Sequence, residues 1–197
     1  MINLIKSNYT KYPKSCNKEY NGFIFNQSLS KVCGIISILE LLYLQNTLND
    51  ISNINIMDIY KYNNSKCRNN TILDFIKSIK EYLNIDIYDI HQCITEDSLL
   101  ENILYNQGVI LNIKTSDILR QYNSKYIIDI YKKNITYNNS NHSILAYGYN
   151  IIDNKLYLHI LNSYGKLYGN NGSIYLDINY PMNEYPYTFK SRIKNKI

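Results

Sequence analysis

Asn141-His142-Ser143-Ile144-Leu145-Ala146-Tyr147-Gly148-Tyr149, followed by Asp153-Asn154 and by Leu161-Asn162-Ser163-Tyr164-Gly165, is the stretch whose reading decides the fold. Two apolar runs flank a two-residue turn signal, so residues 142–152 and 155–164 read as neighbouring strands of one hairpin. If the turn holds two residues, Ile152 pairs with Lys155, His142 lies opposite Gly165 and Asn162 lies opposite Leu145. A histidine and an asparagine then sit near the same sheet end on adjacent strands. An asparagine that accepts one imidazole N–H fixes the ring's tautomer and leaves the other nitrogen for a proton from elsewhere. The other two histidines lack this arrangement. His91 precedes Gln92-Cys93 in an expected loop, and His159 is mid-strand, where a ring packs or faces water.

Outward from the hairpin, β signal continues at 109–113, 126–131 and 172–178, with a short helix expected at 116–122. The front half is helical. From Cys33 to about Asn49 the chain is apolar nearly all round, as a buried helix is, and Ser30 can cap its start. A second helix is expected over 71–83, with Ile72, Phe75, Ile76, Ile79 and Leu83 on one face. A third follows Thr95, an N-cap with Glu96 and Asp97 in the first turn. Residues 1–30 show no sustained period. The chain is therefore expected to be one α+β domain over 1–197, with a helical lobe at about 20–105, an antiparallel β lobe at about 106–180 and a cleft between them.

At 197 residues and 45% apolar content, such a domain buries a sizeable core. The net charge is +5, yet arginine occurs only at 68, 120 and 192 and the lysines are scattered, so no nucleic-acid partner is expected. The 22 tyrosines are not confined to one strand face and make no stacking platform. Lys190, Arg192, Lys194 and Lys196 read as a solvated tail. No run approaches the roughly 20 apolar residues of a membrane span, and the N-terminus lacks a signal-peptide pattern. The cysteines at 16, 33, 67 and 93 match no zinc spacing, and neither metal nor cofactor is expected. Asn26-Gln27-Ser28 and Asn141-His142-Ser143 are glycosylation sequons, which would be awkward in a secreted protein if those segments form a site. A cytoplasmic protein with reduced thiols is expected. The dominance of Asn, Ile, Tyr and Lys suggests an AT-rich source such as a virus, whose product would lie in the host cytoplasm or virion.

Cys33 stands where an irregular segment enters the buried helix. Unpaired N–H groups and the positive end of the helix dipole favour a thiolate there. The plain alternative is a small buried apolar residue.

Together these segments resemble the papain-like cysteine peptidases. Asn26-Gln27-Ser28-Leu29-Ser30-Lys31-Val32-Cys33 is similar to that family's Asn-Gln-Gly opening, with the nucleophile six residues after the glutamine. His142 to Tyr149, Asn162-Ser163-Tyr164-Gly165 and Gly169-Asn170-Asn171-Gly172-Ser173-Ile174-Tyr175 resemble its catalytic-histidine strand, Asn-Ser-Trp-Gly segment and following glycine-rich strand, in the same order. A weaker match is Asn106-Gln107-Gly108-Val109. The resemblance implies a papain-like two-lobed fold and a protein or peptide substrate. It makes Cys33 the nucleophile, His142 the base and later acid, Asn162 its orienter and Gln27 an oxyanion donor beside the Cys33 N–H. Tyr164 replaces the tryptophan that shields the His–Asn bond.

There are departures from the pattern. Gly34 follows the nucleophile in place of tryptophan, Ser30 replaces a disulfide cysteine, and Cys67-Arg68-Asn69-Asn70 replaces Cys-Asn-Gly-Gly. Cys33 and His142 lie 109 positions apart, fewer than the roughly 130–150 of the papain pattern. Only 32 residues precede Cys33, fewer than an inhibitory prosegment needs. The alternatives are a catalytically silent papain fold used for binding, and a narrow processing or deubiquitinating peptidase.

Overall fold

A computed structural model describes residues 2–27, 31–122, 127–128 and 136–194. The chain is α+β, with five α-helices and one eight-stranded sheet among the described residues. Helix α1 (Cys33–Leu44) is buried over nearly its whole circumference, from Gly34 through Leu42. It is enclosed by α2 (Ile56–Ser65), by α3 (Ile72–Tyr82) and by the sheet. Thr71 and Asp74 form a reciprocal capping box that starts α3, and its apolar stripe buries Ile72, Phe75, Ile76 and Ile79. The expected second and third helices are thus present, the third as α4 (Glu96–Tyr105) with Thr95 as N-cap. The short expected helix is α5 (Asp117–Gln121).

The strands are β1 (Ser15–Cys16), β2 (Ile85–Gln92), β3 (Val109–Ser116), β4 (Ile127–Ile128), β5 (Tyr137–Ile152), β6 (Lys155–Leu161), β7 (Ser173–Asp177) and β8 (Tyr187–Ile193). Their order is β2-β8-β3-β5-β6-β7-β4, with β1 on β5. Every pairing is antiparallel except β4 with β7. One face carries Ile110, Leu145, Leu161 and Phe189 into the core shared with α1–α3. The other carries Leu111, Ile113, Ile144, Leu158 and Ile160 into a second core closed by Leu99, Leu100 and Ile103 of α4.

The β5–β6 turn has Asp153 at φ 48° and Asn154 at φ 58°, the left-handed pair that a two-residue type I′ hairpin requires. The expected register holds from Ile152↔Lys155 to Gly148↔His159, then slips by one residue to Ala146↔Ile160 and Leu145↔Leu161. Asn162 is therefore not opposite Leu145. The cause is a bulge at Tyr147, which lets Tyr147 enter the helix-side core while Tyr149 enters the other. Gly148 lies beside it because β1 crosses here: a Cβ at that position would come within 2.5 Å of the Cys16 carbonyl oxygen.

Three elements differ from expectation. His91 lies in β2, not in a loop. The basic C-terminal segment is not a tail through Ile193 but strand β8, with Lys190 Nζ 2.9 Å from Asp89 and Arg192 Nε 3.3 Å from Asp86. Helix α2 has no counterpart in the sequence reading. Of the strand expected at 126–131, Ile127–Ile128 is present; the remainder, and the proposed Ser30 cap, fall outside the described residues.

The N-terminal segment lacks periodicity because it is tied down one bond at a time. Ile2 N–H donates to Met182 O (3.1 Å), Ile5 N–H to Ile94 O (3.2 Å), and Gln27 N–H to Ser163 O (2.9 Å). At the far end of α1, Gln45 Nε2 donates to Phe189 O (2.6 Å) and Asn106 O (3.0 Å), while Ser191 Oγ donates to Gln45 Oε1.

Candidate active site

Cys33 is the first residue of α1, and the N-cap Val32 supplies no side-chain hydrogen bond to the exposed N–H groups. Those donors and the helix dipole remain directed at the thiol's surroundings. Across the cleft, β5 brings His142 and Ser143 to Cys33, and the Ser143 N–H lies 3.4 Å from Cys33 Sγ. Burial pushes the Cys33 thiol up, but the hydrogen bond and charge of His142 and the Ser143 N–H pull it down. The balance lies below an ordinary thiol.

His142 Nε2 is 2.7 Å from Asn162 Oδ1, and both side chains are buried. The amide oxygen accepts, so Nε2 carries the proton and Nδ1 is the nitrogen left to face the thiol. The Tyr164 ring stacks on the imidazole at 4.8 Å between centroids and 14° between planes. Tyr168 packs edge-on against Tyr164 at 5.3 Å. Tyrosine thus covers one face of the histidine ring.

Gln27 lines the same cleft as Cys33 and His142. The Ser163 hydroxyl donates to Gln27 Oε1, and the Ser163 carbonyl accepts from the Gln27 N–H at 2.9 Å. The serine thus fixes the amide oxygen of Gln27, leaving its nitrogen the chemical capacity to donate. All four sequence-predicted residues are therefore brought together.

The cleft has a volume of about 740 Å³. Its helical wall includes Lys31, Gly34, Asn70, Ile72 and Phe75, and its β wall includes Asn112, Thr115, Arg120, Ser140 and Tyr164. Phe75 explains Gly34: a Cβ there would lie 2.9 Å from the phenylalanine ring, so α3 fills the space a larger side chain would take. Ser163, the Ser143 N–H, Lys31 and Arg120 were assigned no role from sequence. Ser163 adjoins Asn162 and was findable by position, whereas a backbone donor leaves no trace in residue type.

The cysteines at 16, 33, 67 and 93 are all free. Among the described residues, no group of three or more His, Cys, Asp or Glu is placed to hold a metal, and no helix is long and apolar enough to cross a membrane.

A helix-borne thiol facing a strand-borne imidazole across an α/β cleft is the architecture of a cysteine protease. Residues 42–188 match the papain family cysteine protease, and the chain belongs to that family. The match begins inside α1, so it includes His142 and Asn162 but not Gln27 or Cys33. Solved structures agree in fold. Xylellain, a cysteine protease from Xylella fastidiosa, superposes with a TM-score of 0.72 at 15% identity, over 92% of this chain and 87% of that one. Digestive procathepsin L 3 from Tenebrio molitor larval midgut gives 0.67 at 16% identity, over 95% and 73%. The Carica candamarcensis cysteine protease CMS1MS2, solved in complex with E-64, gives 0.64 at 14% identity, over 93% and 100%. No curated protein matches the chain.

Proposed function

We propose that the chain is a cysteine endopeptidase that hydrolyses peptide bonds through a thioester on Cys33. The observation that carries this is the 2.7 Å contact of His142 with Asn162, on a histidine that also lowers the Cys33 thiol. His142 Nδ1 takes the thiol proton, and the thiolate attacks the peptide carbonyl carbon. The oxyanion is met by the Cys33 N–H at the start of α1 and by the Gln27 side-chain amide. As the C–N bond breaks, His142 returns the proton to the departing amine and the thioester remains. Water then attacks the thioester with His142 as base, releasing the acid and the thiol. Asn162 holds the ring in the tautomer that both half-reactions need.

A reducing, cytoplasmic setting is the compartment we favour. It is supported by four unbonded thiols and by sequons that overlap Gln27 and His142.

The test is labelling by E-64, the ligand of the Carica structure, at neutral pH in reductant, followed by peptide mapping. Modification of Cys33 ahead of Cys16, Cys67 and Cys93, lost in His142→Ala, is the expected result. Equal labelling of all four thiols would reject the catalytic reading in favour of a silent papain fold.

A further inference from the structure

The cleft is charged in one sense only. Lys31 lines it two residues before Cys33, and Arg120, on α5, lines it from the β side, bonded to Ser140, which lies two positions before His142 on β5. Arg120 Nη2 is 3.2 Å from Ser140 Oγ, which aims the guanidinium along the wall and leaves it other donors. No carboxylate lines the cleft among the described residues, and neither cation makes an ion pair among them. Three acids near the cleft lie outside its lining, each hydrogen-bonded to a neutral side chain. Asp74 accepts from Thr71 in the α3 capping box, Glu184 accepts from Asn112 at 2.8 Å, and Asp117 accepts from Asn138 at 3.5 Å.

Two cations that line one groove, with no ion-pair partner among the described residues, raise the local potential, and the groove's low-dielectric walls concentrate it. A polypeptide threaded there gains if it brings carboxylates and loses if it brings ammonium groups. We propose that this cleft selects acidic polypeptide segments, with carboxylates within a few residues of the scissile bond meeting Lys31 on one wall and Arg120 on the other. The proposal rests on the peptidase reading for its scissile bond, but charge selection is a property of binding and is measured without turnover.

The experiment uses the full chain carrying Cys33→Ala and fluorescein-labelled octapeptides that differ only in having Glu, Gln or Lys at the positions around the central bond. Affinity is read by anisotropy. Because exposed charge pairs contribute modestly, the Glu peptide is expected to bind roughly 3- to 10-fold more tightly than the Gln peptide, and the Lys peptide more weakly than either. The Glu-to-Gln ratio should fall toward one when Lys31→Gln and Arg120→Gln are added, and again in 1 M salt, where the screening length is about 3 Å. Equal affinities, or a ratio that survives both substitutions, would overturn the proposal. Cleavage of the same peptides by the unsubstituted chain is scored separately. Charge-selective binding without cleavage upholds selection of acidic segments and rejects the peptidase; cleavage without charge selection does the reverse.

Discussion

The Cys33 thiol is held between desolvation, which favours the neutral form, and His142 with the Ser143 N–H, which favour the thiolate. Removing His142 removes the larger of the two opposing aids and leaves desolvation. Alkylation of Cys33 by iodoacetamide should therefore reach half its limiting rate below the roughly pH 8.5 of a free thiol, and His142→Ala should move that midpoint upward. An unmoved midpoint would exclude the histidine as partner. In the proposed mechanism Gln27 acts later, on charge that develops only in the transition state. Gln27→Ala should lower kcat by about 10²–10³ with little change in KM, and a defect confined to KM would argue against the oxyanion role. The gathering of these side chains was legible in the sequence because few residue types suit such chemistry and the strand register brings two of them close. Ser163 was quoted in a motif without a task. Its task is a contact across 136 positions of chain, which no local pattern displays. Lys31 and Arg120 escaped notice because single cations in a lysine-rich composition carry no signal until a cleft selects them.

At the level of elements, helices α1, α3 and α4 and the β5–β6 hairpin were readable because apolar period, caps and turn residues agree. Helix α2 was not: its sequence Ile-Met-Asp-Ile-Tyr-Lys-Tyr-Asn-Asn-Ser ends in polar residues and buries only Ile59 and Asn63. Strand β2 alternates for only its first few residues, then runs exposed or half-exposed from Tyr88 onward, so nothing in its second half marks a buried face. The one-residue slip at Tyr147 was invisible for a different reason. Two tyrosines on either side of a glycine look alike in sequence, and only two separate cores make their faces differ. The α1–α3 contact offers an element-scale test. Gly34→Trp forces a ring toward Phe75 and should destabilise the fold by roughly 1–3 kcal/mol, seen as a lower urea midpoint. Adding Phe75→Ala should restore part of that midpoint; no recovery would mean that Phe75 is not what excludes a side chain at 34.

For the whole molecule, two ionisable groups beside the helix-side core, half-buried His159 and buried Glu40, give stability opposite dependences on pH. His159 lies between the rings of Tyr147 and Tyr175, with Nε2 3.1 Å from the Tyr147 hydroxyl, and burial pushes its imidazole down to about 4. The unfolded chain protonates histidine near 6.5, so between about 6.5 and 4 it binds a proton that the folded chain refuses, and stability falls with pH by up to about 3 kcal/mol. Glu40, buried in α1 with Oε1 unpartnered among the described residues, has its carboxyl held well above the usual range. Its contribution is full below the unfolded carboxyl's roughly 4.3 and is lost as pH rises toward its folded value. Urea midpoints measured across pH should therefore lose the decline between 6.5 and 4 in His159→Gln and rise at neutral pH in Glu40→Gln. A His159→Gln profile as steep as that of the unsubstituted chain would reject burial of the neutral ring. The α+β layout and the cleft were legible as a whole. The path of residues 2–27 was not, because bonds made one at a time to Met182, Ile94 and Ser163 have no period.

The Gln45 clamp gives α1 a fixed axial coordinate. A helix apolar on all sides offers few polar features to stop it sliding lengthwise, and the clamp lies about 18 Å from the nucleophile at a rise of 1.5 Å per residue. The sulfur's reach toward the imidazole is thus calibrated from the opposite end of a rod. A lesion at Gln45 would present in a mutational screen as a catalytic defect at a position that touches nothing catalytic.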